Sequence, residues 1–384
     1  MANILTPIIP TLFSQGLKAL RRNCVMPSLV NNSYSSETAQ KGQVILVPLP
    51  SAIAVQDVIP GPVAPDPAGI APTTASIPLS YWKEAPFSLN EREVAQVVDG
   101  IVPIQLSAAV EAIADAINQS IFGLYTGVYG YVGVAGTTPF ATNYTPATDA
   151  RKTLNNQLAP MNNRRFVVNP DAEAQALNLQ AFAYALNAGN TDVIKEGQIG
   201  RKLGFDWFMD QRVPTQVAGT ITTGLVAQAA TVQAAGLTTI VATTAASTGA
   251  CAINLGDIIT FAGDTQTYAV TAAAVQAAAA TNVNISISPP KVVALAGGEA
   301  ITVKASHVVN LAFQRDAFAF ASRQLQGDML SKDNIDDTMM VSDPISGLSM
   351  RLMYRTEYHR TRLAFDVLWG VGLIRPQLAC RIAG

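Results

Sequence analysis

The chain has 384 residues, enough for two or three domains and a large buried core. Only 14% are charged, against about 25% in an ordinary soluble domain, while 49% are hydrophobic; the net charge of −2 excludes a global electrostatic pull on nucleic acid or acidic membranes. A surface this poor in charge points either to a membrane or to burial against other copies of the chain.

The membrane reading fails on pattern. No window approaches the roughly 18 consecutive apolar residues of a spanning helix, and the long uncharged stretch Val213 to Gly256 is rich in Thr, Gln and Gly. At the start, Lys18, Arg21 and Arg22 follow the apolar residues instead of preceding them, so no export signal is expected. Cys24, Cys251 and Cys380 give neither a disulfide framework nor zinc spacing, so a reducing compartment is expected during folding.

In chain order, residues 1–42 read as an extended arm with a short helical turn at Ser14 to Leu20. The next unit, 43–87, reads as a long hairpin: a strand at Val44 to Leu49, a tip at 59–72 with five prolines, and an extended run from Ala75 to Phe87. With an apolar root and no evident partner in its own chain, this hairpin is expected to dock on a neighbour. Residues 88–130 open with a capping box, Ser88 and Glu91. They continue into a helix over Ile104 to Tyr125, whose Leu106, Val110, Ile113, Ile117, Ile121 and Leu124 form one apolar stripe. A glycine-dotted segment follows.

Residues 131–212 hold a short helix at Thr148 to Leu158, a buried strand at Arg164 to Val168, and a helix started by Asn169-Pro170 and reaching about Leu186. They end in the most distinctive segment, Glu196 to Pro214. It gathers Gly197, Gly200 and Gly204, the basic Arg201 and Lys202, the acid Asp206 and the aromatics Phe205, Trp207 and Phe208. It reads as a bend followed by a strand, with the aromatic cluster in a core.

Residues 213–306 differ in kind: between Arg212 and Lys291 only Asp257 and Asp264 are charged. Short β-prone runs at 238–243, 257–261, 267–271, 283–287 and 300–303, separated by Gly-Asp, Pro-Pro and Gly-Gly turns, suggest a small barrel or sandwich. The flanking strands at 201–212 and 307–313 are expected to pair directly, making this an insertion within one domain. Residues 307–384 then give a strand at His307 to Phe313, a helix or turn at Arg315 to Gln324, an acidic loop at 327–337, and a meander of strands at 339–342, 349–358 and 362–371, with Gly370, Gly372 and Arg375-Pro376 breaking up the C-terminal end.

Catalytic chemistry is sparse. The two histidines, His307 and His359, support no zinc site, and no serine sits in a nucleophile motif. The spacing of Gly197, Gly200 and Gly204 is not a dinucleotide fingerprint and reads as bend flexibility. Asp328, Asp333, Asp336 and Asp337 do not match a helix-loop-helix calcium site and read as a solvated or contact-making loop. Arg351, Arg355, Arg360 and Arg362 form a basic cluster with two open readings. They face phosphates, or they pair with Glu357, Asp366 or a neighbour's acidic loop; arginine's planar pairing favours the second. No cofactor, no metal and no enzymatic activity are expected.

Several segments resemble the major capsid (coat) proteins of tailed double-stranded DNA bacteriophages: Arg165–Ala174, Glu196–Pro214, Gly256–Gly263, Ile285–Pro290 and Asn310–Ala321. The closer resemblance is to the short-tailed-phage branch that carries an inserted β-barrel domain. The resemblance implies an α+β, Hong Kong-type capsid fold with N-arm, extended hairpin, spine helix, peripheral and axial domains. It also implies a shell of hexamers and pentamers built with a scaffolding protein and a portal in the host cytoplasm, open to a decoration protein. That shell encloses double-stranded DNA without sequence reading and expands as it matures. On this reading Gly197, Gly200, Arg201, Gly204, Phe205, Asp206, Trp207, Arg351, Arg355 and Arg362 are the residues expected to serve assembly and structure. The tip 59–72 has no lysine, so no covalent cross-link through it is expected. Two alternatives stay open: an encapsulin-like bacterial compartment, and a secreted adhesin with an immunoglobulin-like module at 213–306.

Overall fold

The structure, a computed structural model, describes residues 25–34, 44–49, 53, 55, 72–90, 101–183, 196–221, 224–228, 232–244, 251–277, 281–323, 337–342 and 348–384. The expected hairpin tip, most of the N-terminal arm, residues 91–100 and the acidic loop before Asp337 lie outside these residues. Two compact units are present: one from Asn32–Ile113 and Ala319–Ile374, the other from Ala19–Asn31, Ala114–Phe318 and Arg375–Gly384.

The first unit is built on a five-stranded sheet. Arg360–Leu373 lies between Ser349–Glu357, which in turn pairs with Asp337–Ser342, and Tyr81–Asn90; Phe318–Arg323 completes the set. The meander is thus present, but two expectations change. Ser88 is not a helix cap: it pairs with Arg362 inside Tyr81–Asn90, because the alternating run from Tyr81 finds a full-length partner strand. Gly370 and Gly372 do not break the last strand either. They lie within it, and a β-carbon on Gly370 would stand 2.4 Å from the Pro78 carbonyl oxygen, so the glycine is there to let another backbone pass.

That backbone belongs to the hairpin. Val44–Leu49 pairs antiparallel with Thr73–Pro78, from Val44↔Pro78 to Leu49↔Thr73. Val47, Ile77 and Leu79 are buried with Ala319, Ala321 and Leu368. The hairpin root therefore has an intramolecular partner, contrary to the expectation that its apolar residues serve only a neighbour. Pleating turns Val44 and Leu46 the other way, 49% and 64% exposed.

The second unit centres on a seven-stranded mixed sheet ordered Gly130–Gly133, Ala379–Ala383, His307–Gln314, Arg164–Val168, Phe205–Met209, Arg201–Lys202, with Thr215–Gln216 also pairing His307–Gln314. The expected pairing of 201–212 with 307–313 is not found, because Arg164–Val168 lies between them, antiparallel to one and parallel to the other. The insert's ends meet instead through His307↔Gln216. Its strands close into a six-stranded antiparallel barrel: Thr239–Thr244, Val283–Ser288, Tyr268–Val270, Ile258–Phe261, Ala300–Val303 and Leu225–Ala227. Alternation fills the barrel, with Ile240, Ala242, Ile285, Ile287, Ile301 and Val303 inside. Closure removes the immunoglobulin-like sandwich that the adhesin reading needed.

The long helix spans Ile101–Phe122 and buries Val110, Ile113, Ile117 and Ile121 of the expected stripe, while Leu124, past the helix end, is half-buried. Its last turn tightens into a 3₁₀ segment, Gly123–Gly127. The Asn169 helix begins as read, with the Asn169 side chain accepting from the Ala172 N–H, but it stops at Asn178 because Leu179 is extended; a separate turn covers Gln180–Ala183. Arg315–Ala317 is one 3₁₀ turn and Phe318–Arg323 a strand, so the helix expected to reach Gln324 is absent from the described residues.

Gly370→Val is expected to lower the stability of the first unit by about 1–3 kcal/mol through backbone overcrowding, measured as a lowered denaturant midpoint. Unchanged stability would show that the hairpin does not press on this strand.

Candidate assembly site

The Glu196–Pro214 segment forms its structure from turn chemistry. Gly197 and Gly200 have φ of 68° and 67°, and the chain then makes a tight hairpin in which Lys202 pairs with Phe205. The two loop residues, Leu203 and Gly204, have φ of 54° and 85°, the left-handed pair that a two-residue hairpin demands. The register puts Arg201 opposite Asp206, whose charges stand 3.9 Å apart in solvent. Arg151 fixes the loop by donating to the Leu203 carbonyl at 3.2 Å.

Phe205 is fully buried and Trp207 nearly so. The Trp207 ring stacks on Phe166 at 4.4 Å and meets Phe140 and Phe182 at 5.3 and 5.5 Å, while its indole N–H donates to the Lys202 carbonyl at 3.2 Å. Beside it lies an open cleft of about 470 Å³ lined by Ile199, Gly200, Trp207, Phe208 and Glu173, whose carboxyl burial pushes upward. Phe208 and Met209 are each 36% exposed.

The basic cluster lies on the first unit's sheet, and its described arginines have carboxylate neighbours. Arg351 makes a two-pronged pair with Asp366, through Nε at 2.9 Å and through Nη2, and the Trp82 indole adds a bond of 3.0 Å to the same carboxylate. Asp366 is 1% exposed. Toward the hairpin end Arg355 and Arg360 share Glu357, and Arg362 reaches Glu84 at 3.0 Å. The Arg360 hydrogen bond holds the Glu357 carboxyl below the usual range. Glu84 was not named among the expected partners; only the pairing of Tyr81–Asn90 with Arg360–Leu373 brings it there.

Sequence reasoning missed a third feature, a buried polar joint where the barrel meets the second unit's sheet. Arg381 is fully buried; it donates to the Gly256 carbonyl at 2.7 Å and the Thr126 carbonyl at 3.1 Å, and its guanidinium lies 5.1 Å from the Tyr125 ring centroid. The Tyr125 hydroxyl donates to Gln216 at 2.7 Å, and Gln216 donates to Asp257 at 2.8 Å. Asp257 also accepts the Gly219 and Asn254 N–H groups at 2.9 and 2.8 Å. Burial pulls the Arg381 pKa down to about 9, which leaves the group charged at neutral pH. One trace existed in the sequence, an arginine inside the apolar run Ala379–Ala383.

Among the described residues no cluster of three His, Cys, Asp or Glu side chains is placed to hold a metal, and no helix is long and apolar enough to cross a membrane.

Trp207→Ala is expected to cost about 3–5 kcal/mol through loss of the stacked aromatic core, read by equilibrium unfolding; a variant as stable as the parent would place Trp207 outside the core. Asp366→Ala strands Arg351, whose side chain is 13% exposed, and is expected to cost about 3–5 kcal/mol. Replacing both residues by apolar ones is expected to recover much of that loss, and a strictly additive double-mutant cycle would contradict the pairing.

No family model and no curated protein matches the sequence. Solved structures do match the fold. A structure of Mycobacterium phage Che8 superposes with a TM-score of 0.51 at 14% identity, covering 92% of this chain and 89% of that one. The capsid structure of the Cyanophage P-SCSP1u superposes with a TM-score of 0.50 at 11% identity, covering 92% and 86%. At such identities the likeness is one of architecture, and it spans nearly the whole of each chain: this protein has the α+β fold of these phage structures, with a closed six-stranded barrel within it.

Proposed function

We propose that this chain is the major capsid protein of a tailed double-stranded DNA phage, a structural subunit and not an enzyme. Many copies tile as hexamers and pentamers into the icosahedral shell of the virion. The observation that carries the reading is the near-full-length fold likeness to a cyanophage capsid. Charge economy supports it. A chain with 14% charged residues that turns Val44 and Leu46 outward on its hairpin is suited to large subunit contacts. On this reading Gly197, Gly200 and Gly204 let the bend re-set when the shell expands, and Arg201, Phe205, Asp206 and Trp207 hold the segment around it. Arg351, Arg355 and Arg362 stiffen the sheet beneath the hairpin. A scaffolding protein and a portal direct assembly in the host cytoplasm, and packaged DNA is held without sequence-specific contacts.

The test is expression of the full chain with a scaffolding protein, followed by electron microscopy. Closed shells of uniform diameter are expected; subunits that stay monomeric at high concentration would overturn the reading. Shells filled with protein cargo would point instead to a bacterial compartment. Removing residues 59–72 is expected to leave the subunit folded and to reduce shell yield severalfold by sedimentation, while undiminished yield would remove the tip from assembly.

A further inference from the structure

The joint between barrel and sheet contains an unusual arrangement. Two buried polar atoms there have no hydrogen-bond partner: Arg381 Nε and His307 Nε2. Strand register brings their residues together. Arg381 pairs with Tyr131 across the parallel Gly130–Gly133 and Ala379–Ala383 strands, and His307 pairs with Gln216 where the insert begins and ends. The His307 ring meets the Tyr131 ring edge-on at 5.3 Å. Its Nδ1 lies 2.8 Å from the Ala305 carbonyl, so that nitrogen carries the proton and Nε2 is a bare acceptor.

We propose that His307 is a proton-operated release for the barrel: gaining a proton in mild acid, it loosens the joint that seats the insert on the sheet while the barrel itself stays folded. The charged and titratable groups around it define the effect. Arg381 from the last strand is a buried cation, and its charge opposes a second one on a protonated His307. Asp257, the nearby anion on the barrel side, already accepts from Gly219, Asn254 and Gln216. Tyr131 and Tyr125 offer neutral hydroxyls, and Lys304, 5.8 Å above the Tyr131 ring, is a further cation. Burial holds the His307 pKa below its ordinary 6.5, the Ala305 carbonyl works against this, and the Arg381 charge adds to it. The sign follows: the closed joint resists the proton that an opened joint would take, so seating is intact above about pH 6.5 and weakens as the pH falls below it. From pH 7.5 to 5.5 an ordinary imidazole favours the open joint by up to about tenfold.

Amide hydrogen exchange on the full-length chain at pH 7.5 and 5.5, corrected for intrinsic rates, tests this. The expected result is up to tenfold faster exchange at pH 5.5 at Gly219 and Asn254, with Val283–Ser288 unchanged, and loss of this pH effect in His307→Gln. No pH effect in the parent chain, or the same effect in His307→Gln, would overturn the proposal. Should that variant fail to fold, histidine ring NMR of the unaltered chain decides, because His359 is the only other histidine and is exposed. His307 is expected to titrate below the ordinary 6.5; titration at or above that value would overturn the proposal.

Discussion

The architecture of the larger unit depends on one strand that is buried along nearly its whole length. In His307–Gln314 every residue but Val308 is buried. Along its edges it bonds to Ala379–Ala383, Arg164–Val168 and Thr215–Gln216. A strand in that position has no solvent to satisfy its amides, so its neighbours must be in register. Asn310 reinforces the arrangement from the side chain, accepting the Asn169 N–H at 2.7 Å and so joining the helix start at Pro170 to the centre of the sheet. The chain's end, the insert's base and the aromatic core around Trp207 are all placed by reference to this strand.

The scarcity of charge is more pronounced on the outside than the composition alone suggests. Arg164, Asp210, Asp257, Lys291, Arg323, Asp366 and Arg381 are all buried. Arg164 donates to the Ala159 and Pro160 carbonyls, and Asp210 caps the chain by accepting the Arg212 N–H at 2.8 Å. Ions used this way fix geometry more than they add stability, because desolvation offsets much of their attraction. The exterior is left with side chains such as Val217, Val232, Val275 and Val292, each more than 60% exposed. Such a surface suits an assembled protein better than a solitary one.

Features written in local chemistry were legible in the sequence. The helix start at Asn169-Pro170, the apolar stripe of the long helix, the barrel strands at 258–261, 283–288 and 300–303, and the bend at Gly197 and Gly200 follow from spacing and turn residues. Features created by distant pairing were not. Ser88 carried a capping-box pattern, yet it joined a strand because Arg362 lay opposite. Gly370 carried a breaker's identity, yet it marks a crossing backbone. The short strands Leu225–Ala227, Cys251–Ile253 and Ala274–Gln276 are too brief to show alternation, and barrel closure or cross-strand pairing alone defines them. Arg381 and Asp257 announce nothing singly, and their shared joint exists only once Arg381 meets Gly256, 125 residues away.

The pairing of Gln216 with His307 makes the insert, topologically, an overgrown hairpin loop. Its two roots are separated by the spacing of adjacent strands, about 5 Å. A framework so joined is indifferent to what hangs from it. A short turn would close the same gap, and an unrelated module with neighbouring termini would bridge it equally well. Lineages can therefore gain, lose or exchange this appendage without redrawing the sheet, and the same splice point offers engineers a place to display a foreign domain.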